Sequence, residues 1–178
     1  MKEEKPGRVK IAGFIVMALL VLIDQLTKYA AATRLADAPK VIIPGVFELT
    51  YVRNYGAAFG ILQNARSFFI AVTLIMIAII VIVLRKVPDR KRYHALTIAL
   101  FVLMAGATGN LIDRMMHTYV VDFLYFSLID FPVFNAADIF VVCSVIFLII
   151  LMLFVYKKDD DLAFLKPEGK ESKEEKKE

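Results

Sequence analysis

Residues 95–112 read ALTIALFVLMAGATGNLI, and Asp113 follows them directly. This stretch has no charged residue for 18 positions. As a helix it would span about 27 Å, close to the roughly 30 Å hydrocarbon core of a bilayer. Charge-free stretches of the same length recur at residues 67–84 and 139–156. We therefore predict three membrane-spanning helices here.

The overall composition agrees with a membrane protein. Of the 178 residues, 59% are hydrophobic and the mean hydropathy is +0.65, whereas soluble domains are roughly 45–50% apolar. The length is that of one domain. The fold class predicted is an all-α membrane protein, with the apolar excess concentrated in the spans.

A fourth span requires the first apolar run to be extended, because residues 11–23 contain only 13 uncharged positions. If the helix continues to about residue 32, Asp24 and Lys28 lie four residues apart on one face and can pair. The basic start, the apolar run and the alanines at 30–32 also fit a cleavable signal peptide. No helix breaker follows the run, which favours a span. The predicted spans are about 11–32, 67–84, 95–112 and 139–156.

The distribution of Lys and Arg predicts the orientation. Residues 1–10, 85–92 and 157–178 hold 16 of the 22 Lys and Arg residues, and such clusters mark cytoplasmic segments. Both termini are therefore expected in the cytoplasm. Cations placed there account for the net charge of +4 without a nucleic-acid partner. The Lys- and Glu-rich segment 157–178 is expected to be a disordered tail outside the 1–156 membrane domain.

The two outer connections differ from the helices in pattern. In the first, residues 34–65, Phe47, Leu49 and Tyr51 alternate with polar residues, which predicts short strands. The second, residues 114–137, is mostly apolar and is expected to lie in the membrane interface. Together they predict a small β-containing extracytoplasmic layer.

Four aspartates stand out against this background. Asp24, Asp113 and Asp138 bound apolar stretches on the same side, and Asp122 lies between the last two. Two neighbouring carboxyls cannot both ionise, so one can hold a proton while the other activates water, as in aspartic proteases. Asp138 could instead cap the last helix. From the residues alone, the pairs Asp122 with Asp138 and Asp113 with Asp138 both stay open.

Other catalytic arrangements find less support. Ser127 lacks a glycine-flanked turn beside His117, Cys143 lies inside a span, and Ser144 is expected to bond its own helix backbone in preference to Lys28. Neither histidine has a cysteine or a second histidine at metal-ligand spacing. We therefore expect no metal and no cofactor.

Five sequence blocks, in this order, resemble the motifs of the bacterial lipoprotein signal peptidases (signal peptidase II). They are DQLTK at 24–28, NYGAAFG at 54–60, GATGNLIDR at 106–114, VVDF at 120–123 and FNAAD at 134–138. The resemblance covers residues 11–156, and five blocks in order are far more specific than any one. Thr108 and Tyr55 depart slightly from the family's pattern.

The resemblance implies an intramembrane aspartic endopeptidase that removes signal peptides from prolipoproteins by cutting before a diacylglyceryl-modified cysteine. It assigns catalysis to Asp122 and Asp138. Residues that it implies support the pair or bind substrate are Asp24, Lys28, Asn54, Gly56, Asn110, Asp113, Arg114, Asn135 and Ala137. The partners implied are prolipoproteins and membrane lipids. The enzyme is expected to be a monomer in the bacterial inner membrane, with its site at the extracytoplasmic interface.

Two other classes of function are open to such a chain. A transporter or channel component would use carboxylates to bind protons or cations, but would carry acidic residues deeper within its spans. A non-catalytic assembly factor would leave the aspartates without a purpose.

Overall fold

The computed structural model describes residues 7–56, 62, 64–157 and 159–165. Its four long helices are α1 Arg8–Arg34, α2 Arg66–Lys86, α3 His94–His117 and α4 Ala136–Ile150, the last continued by a π-helical turn at Leu151–Val155. All four are long and apolar enough to cross a membrane. The predicted fold class is confirmed, and each helix contains most or all of one predicted span.

Helix α3 is the centre of the bundle. Within its most apolar window 61% of residues are buried, against 11% in each of the other three helices. The outer helices therefore turn most of their apolar surface away from the protein, as expected for helices surrounded by lipid. Helix α1 runs unbroken to Arg34 and buries Asp24 and Lys28, so it is an integral part of the fold.

Two glycines of α3 let its neighbours approach closely. A Cβ atom on Gly109 would collide with the Asp24 carboxylate of α1, and one on Gly106 would collide with the Ala137 carbonyl oxygen of α4. Small residues at helix contacts serve this purpose in membrane proteins. These contacts set the spacing of α1, α3 and α4 beside the aspartates.

The strands form one antiparallel sheet in the order β1-β2-β3, made of β1 Lys40–Ile43, β2 Phe47–Asn54 and β3 Val120–Tyr125. The strands predicted in the first outer connection are thus confirmed, and the second connection contributes a third. The sheet lies at the end of the bundle where α1 and α3 finish and α4 begins. We call this the sheet end.

Helix α4 begins with a capping box. Asn135 is the N-cap, its side chain accepting a hydrogen bond from the Asp138 backbone N–H at 3.0 Å, while Asp138 Oδ2 accepts one from the Asn135 N–H at 3.1 Å. The interpretation of Asp138 as the N-cap is therefore wrong, since it lies three residues into the motif. The Asp138 carboxylate is held in place by its hydrogen bond within the capping box.

The described start of the charged tail is ordered, unlike the expectation for residues 157–178. Asp159–Leu165 forms a 3-10 segment in which Asp161 pairs with Arg92 at 2.7 Å. The Phe164 ring meets Tyr93 edge-on at 5.4 Å. These contacts close the end of the bundle opposite the sheet. Residues 166–178 lie outside the described part of the chain.

Candidate active site

A cavity of about 530 Å³ opens at the sheet end between the sheet, α3 and α4. Its lining includes six residues that the sequence singled out: Asn54, Gly56, Asn110, Arg114, Asp122 and Asp138. The rest of the lining is largely apolar, with Phe131, Phe134, Ile139 and Val142 among it. A few convergent polar groups in an apolar pocket are typical of a ligand site.

Asp122 enters the cavity from the middle of β3, and only 2% of its surface is exposed. Asn54 Nδ2 donates to its Oδ2 at 2.8 Å, and Asn135 Nδ2 donates to its Oδ1 at 2.6 Å. Burial raises the pKa of Asp122 to about 6, with a smaller push from the Asp138 charge, while the two amide hydrogen bonds oppose this rise. A carboxyl with such a pKa exchanges its proton readily near neutral pH.

Asp138 enters from the first turn of α4. Asn110 Nδ2 donates to its Oδ1 at 2.8 Å, and the Asn135 backbone N–H occupies its Oδ2. The carboxyl is thereby fixed in direction by groups from both α3 and the start of α4.

Two asparagines connect the carboxyls of Asp122 and Asp138. Asn135 Nδ2, which donates to Asp122, also donates to Asn110 Oδ1 at 3.2 Å, and Asn110 in turn donates to Asp138. Each carboxyl thus accepts two N–H groups in one continuous network. Buried networks of this kind rigidify the groups that they join when every member is satisfied.

A second polar layer lies behind this network. Lys28 Nζ lies 2.9 Å from Asp24 Oδ2 and 3.0 Å from Asp113 Oδ2, and it donates to Asn110 Oδ1 at 2.8 Å. The predicted pair of Asp24 with Lys28 is confirmed. Asp24 also accepts from the Ala137 backbone N–H at 2.9 Å, so one buried cluster ties α1 and α3 to the start of α4.

Asp113 is bound by groups of α1 and β3. Besides Lys28, it accepts from Gln25 Nε2 at 3.0 Å and from the Val121 backbone N–H at 3.0 Å. Its side chain therefore anchors β3 one residue before Asp122. It does not line the cavity, in contrast to Asp122 and Asp138.

The Arg114 side chain contacts the Phe69 ring and the backbone of its own helix. Its guanidinium lies over the Phe69 ring at 4.8 Å and donates to the Asn110 carbonyl oxygen at 3.3 Å. Arg66, at the start of α2, donates to the carbonyl oxygens of Arg114 and Met115 at 2.7 and 2.9 Å. These bonds satisfy carbonyl groups at the end of α3 and hold Arg114 at the cavity wall.

Sequence reasoning missed three contributors: Gln25, Arg66 and Gly109. Gln25 lies inside the DQLTK block. Its side-chain amide donates to Asp24 at 3.1 Å and also to Asp113. The block itself could have identified Gln25. Arg66 acts on residues nearly fifty positions away, and no local pattern indicates such a contact.

The other catalytic arrangements gain no support from the described residues. Ser144 donates to its own helix at Val141 with a 2.9 Å bond, as predicted, and the Ser127 hydroxyl has no hydrogen-bond partner among them. His117 stacks on Tyr119 with ring centres 5.8 Å apart. Within the described part of the chain, no group of three or more His, Cys, Asp or Glu side chains is arranged to hold a metal ion. Residues 57–60, part of the second sequence block, lie outside the described part.

Comparison with known proteins gives consistent matches. The family model described as signal peptidase (SPase) II matches residues 16–154. A lipoprotein signal peptidase of Symbiobacterium thermophilum is 47% identical, covering 81% of this chain and 96% of the relative. One of Brevibacillus brevis is 44% identical, covering 74% and 88%.

A solved structure shares the fold as well. It is a bacterial membrane enzyme determined by the in meso method at 2.3 Å, with 33% identity and a TM-score of 0.70. The match covers 83% of this chain and 92% of that one. Together with the four helices, this likeness makes the chain a multi-pass membrane protein.

Proposed function

Because the chain belongs to the signal peptidase II family, and is thus a peptidase that removes signal peptides from prolipoproteins, we propose that Asp122 and Asp138 are its catalytic pair. The observation that carries this proposal is the continuous amide network joining the two carboxyls inside one cavity. Of the four aspartates, these two alone line that cavity. Asp24 and Asp113 are engaged by Lys28.

The reaction needs a base that activates a water molecule and an acid that protonates the scissile carbonyl oxygen. We assign the base to Asp122, whose pKa of about 6 leaves it mostly ionised at neutral pH yet able to accept a proton. It takes a proton from water as the water oxygen attacks the scissile carbonyl carbon. Asp138 holds the pair's one proton and donates it to the carbonyl oxygen, which forms a diol. When the C–N bond breaks, Asp122 gives the proton it took from water to the leaving amine, and Asp138 regains a proton from the diol. No cofactor enters this scheme.

The substrate proposed is a prolipoprotein whose cysteine carries a diacylglyceryl group, cut just before that cysteine. The apolar part of the cavity, including Phe131, Ile139 and Val142, suits a lipid-bearing chain that diffuses within the membrane. The site belongs at the extracytoplasmic interface of the bacterial inner membrane, with both termini in the cytoplasm. We propose that the enzyme acts as a monomer.

The test is a cleavage assay on purified protein with a diacylglyceryl-modified precursor. Asp122→Asn and Asp138→Asn should each lower turnover by about 10²- to 10⁴-fold, as loss of a proton-transfer group does. Asp37→Asn, in the exposed connection after α1, is the matched control and should remain active. A chelator should leave the rate unchanged.

The alternative pair is tested in the same assay. Asp113→Asn should lower the unfolding temperature, because it loosens the buried contact with Lys28, while the protein that stays folded keeps measurable activity. If Asp122→Asn or Asp138→Asn kept near-wild-type turnover while folded Asp113→Asn had none, the proposed pair would be wrong.

A further inference from the structure

A second cavity, of about 490 Å³, lies on the other side of β3 from the candidate active site. Asp122 lines the first cavity and Phe123 the second, since successive residues of a strand point to opposite faces of a sheet. The walls of the second cavity are mainly apolar, formed by Leu49 and Phe123 of the sheet and by Ala30 and Ala31 of α1. Its volume is that of a ligand pocket.

The charged residues lining this cavity are both cations. Arg34, at the end of α1, and Lys40, at the start of β1, are exposed and belong to the lining, while no carboxylate does. Among the described residues, neither cation forms an ion pair. Asp37 lies in the turn between them but outside the lining. An occupant should therefore carry a negative charge beside an apolar part.

The cavity is at the level where lipid headgroups lie. Tyr29, next to Ala30, is 70% exposed on the outer surface of α1, and exposed tyrosines near the end of a spanning helix mark the membrane interface. Leu26, one turn earlier, is 57% exposed and continues the lipid-facing surface toward the membrane core. A molecule in the cavity can thus have its head at the interface and its tail along α1.

From these observations we propose that the second cavity binds an acidic phospholipid of the leaflet at the sheet end, its phosphate between Arg34 and Lys40 and an acyl chain against Ala30 and Phe123. Charge complementarity selects the acidic headgroup, and the apolar walls select a lipid over a free anion. The bound lipid supports the strand that carries Asp122 from behind. The site is separate from the cavity proposed for the substrate.

The test measures binding of dioleoyl phosphatidylglycerol to the purified full chain in detergent. Dioleoyl phosphatidylcholine, a zwitterion with no net charge, is the comparison. Phosphatidylglycerol should bind more tightly and raise the unfolding temperature, because a ligand of the folded state stabilises it. Replacing both cations (Arg34→Gln with Lys40→Gln) should weaken its binding about tenfold or more, at roughly one kilocalorie per cation near a membrane surface.

Two further variants separate charge from shape. Ala30→Leu keeps both cations but fills part of the cavity, so it should also weaken phosphatidylglycerol binding. Arg53→Gln removes an exposed cation of β2 that lies outside the lining, and binding should be unchanged. Circular dichroism establishes that each variant is folded before binding is measured.

Three results would overturn the proposal. The first is equal affinity of the wild type for the two lipids, and the second is undiminished binding of phosphatidylglycerol to the double variant. The third is competition between phosphatidylglycerol and the lipid-modified precursor, which would assign this cavity to the substrate. None of these results bears on whether Asp122→Asn abolishes cleavage, so the two proposals fail separately.

Discussion

The environment of Asp122 combines two opposing influences on one carboxyl. Burial on β3 favours the neutral acid, while hydrogen bonds from Asn54 and Asn135 favour the ionised form. The outcome is a pKa of about 6, which lies within reach of physiological pH. Asn54 is the better of the two asparagines to replace in an experiment on this pKa, because Asn135 also caps α4.

A pH profile tests this balance. With Asp122 as the base, kcat/KM should fall as the pH drops through about 6, because protonated Asp122 can no longer accept a proton from water. Asn54→Ala removes a bond that stabilises the ionised form. The pKa of Asp122 should then rise further, and the acidic limb should move to higher pH by roughly one pH unit.

The control for this profile is Thr50→Ala, a change on the same strand outside the cavity lining, which should leave the limb in place. An acidic limb that stayed fixed or moved to lower pH in Asn54→Ala would argue against Asp122 as the base.

At the scale of elements, Lys28 holds the sheet end together. It is 2% exposed and contacts Asp24 of its own helix together with Asp113 and Asn110 of α3. One lysine compensates two buried carboxylates, and those carboxylates in turn bind the backbone N–H groups of Ala137 and Val121. Four elements, α1, α3, β3 and α4, thus depend on a single ammonium group.

Lys28→Met should therefore be strongly destabilising. Removing one partner of a buried ion pair leaves an uncompensated charge and costs about 3–5 kcal/mol. We expect a lower unfolding temperature in detergent and loss of cleavage activity. Lys91→Met, at an exposed lysine between α2 and α3, should change neither. A Lys28→Met protein as stable as the wild type would mean that Asp24 and Asp113 are not both charged in the fold.

The sequence predicted those parts of this assembly that depend on local spacing. The pair of Asp24 and Lys28 follows from their separation by four residues, and strand β2 follows from the alternation around Leu49. The contact of Asp113 with Lys28 joins residues 85 positions apart in the chain, and no local spacing indicates it. The capping role of Asn135 was missed because Asp138, three residues later, is an equally good cap by residue type.

At the scale of the whole molecule, the charge distribution and the site must agree in orientation. In sequence, the Lys- and Arg-rich segments come at the start of α1, between α2 and α3, and after α4. Their described parts lie at the end of the bundle opposite the sheet. From the positive-inside rule we propose that the sheet end lies outside the cytoplasm. A signal peptidase that acts on exported precursors needs its site there.

Labelling of single cysteines tests this orientation. In a Cys143→Ser background, Asp37→Cys reports on the sheet end and Lys91→Cys on the opposite end, and both positions are exposed. A membrane-impermeant thiol reagent is added to spheroplasts, whose cytoplasmic membrane is intact. It should modify the first cysteine at once. It should modify the second only after the membrane is permeabilised.

The comparison is internally controlled, because each cysteine serves as the reference for the other within the same fold. If only Lys91→Cys were labelled in intact cells, the topology would be the reverse of the one proposed. Asp122 and Asp138 would then lie at the cytoplasmic face. A site at the cytoplasmic face would meet precursors before export. In addition, 16 of the 22 Lys and Arg residues would lie outside the cytoplasm. The positive-inside argument and the proposed route of the substrate would then fail together, since both depend on which end of the bundle is outside.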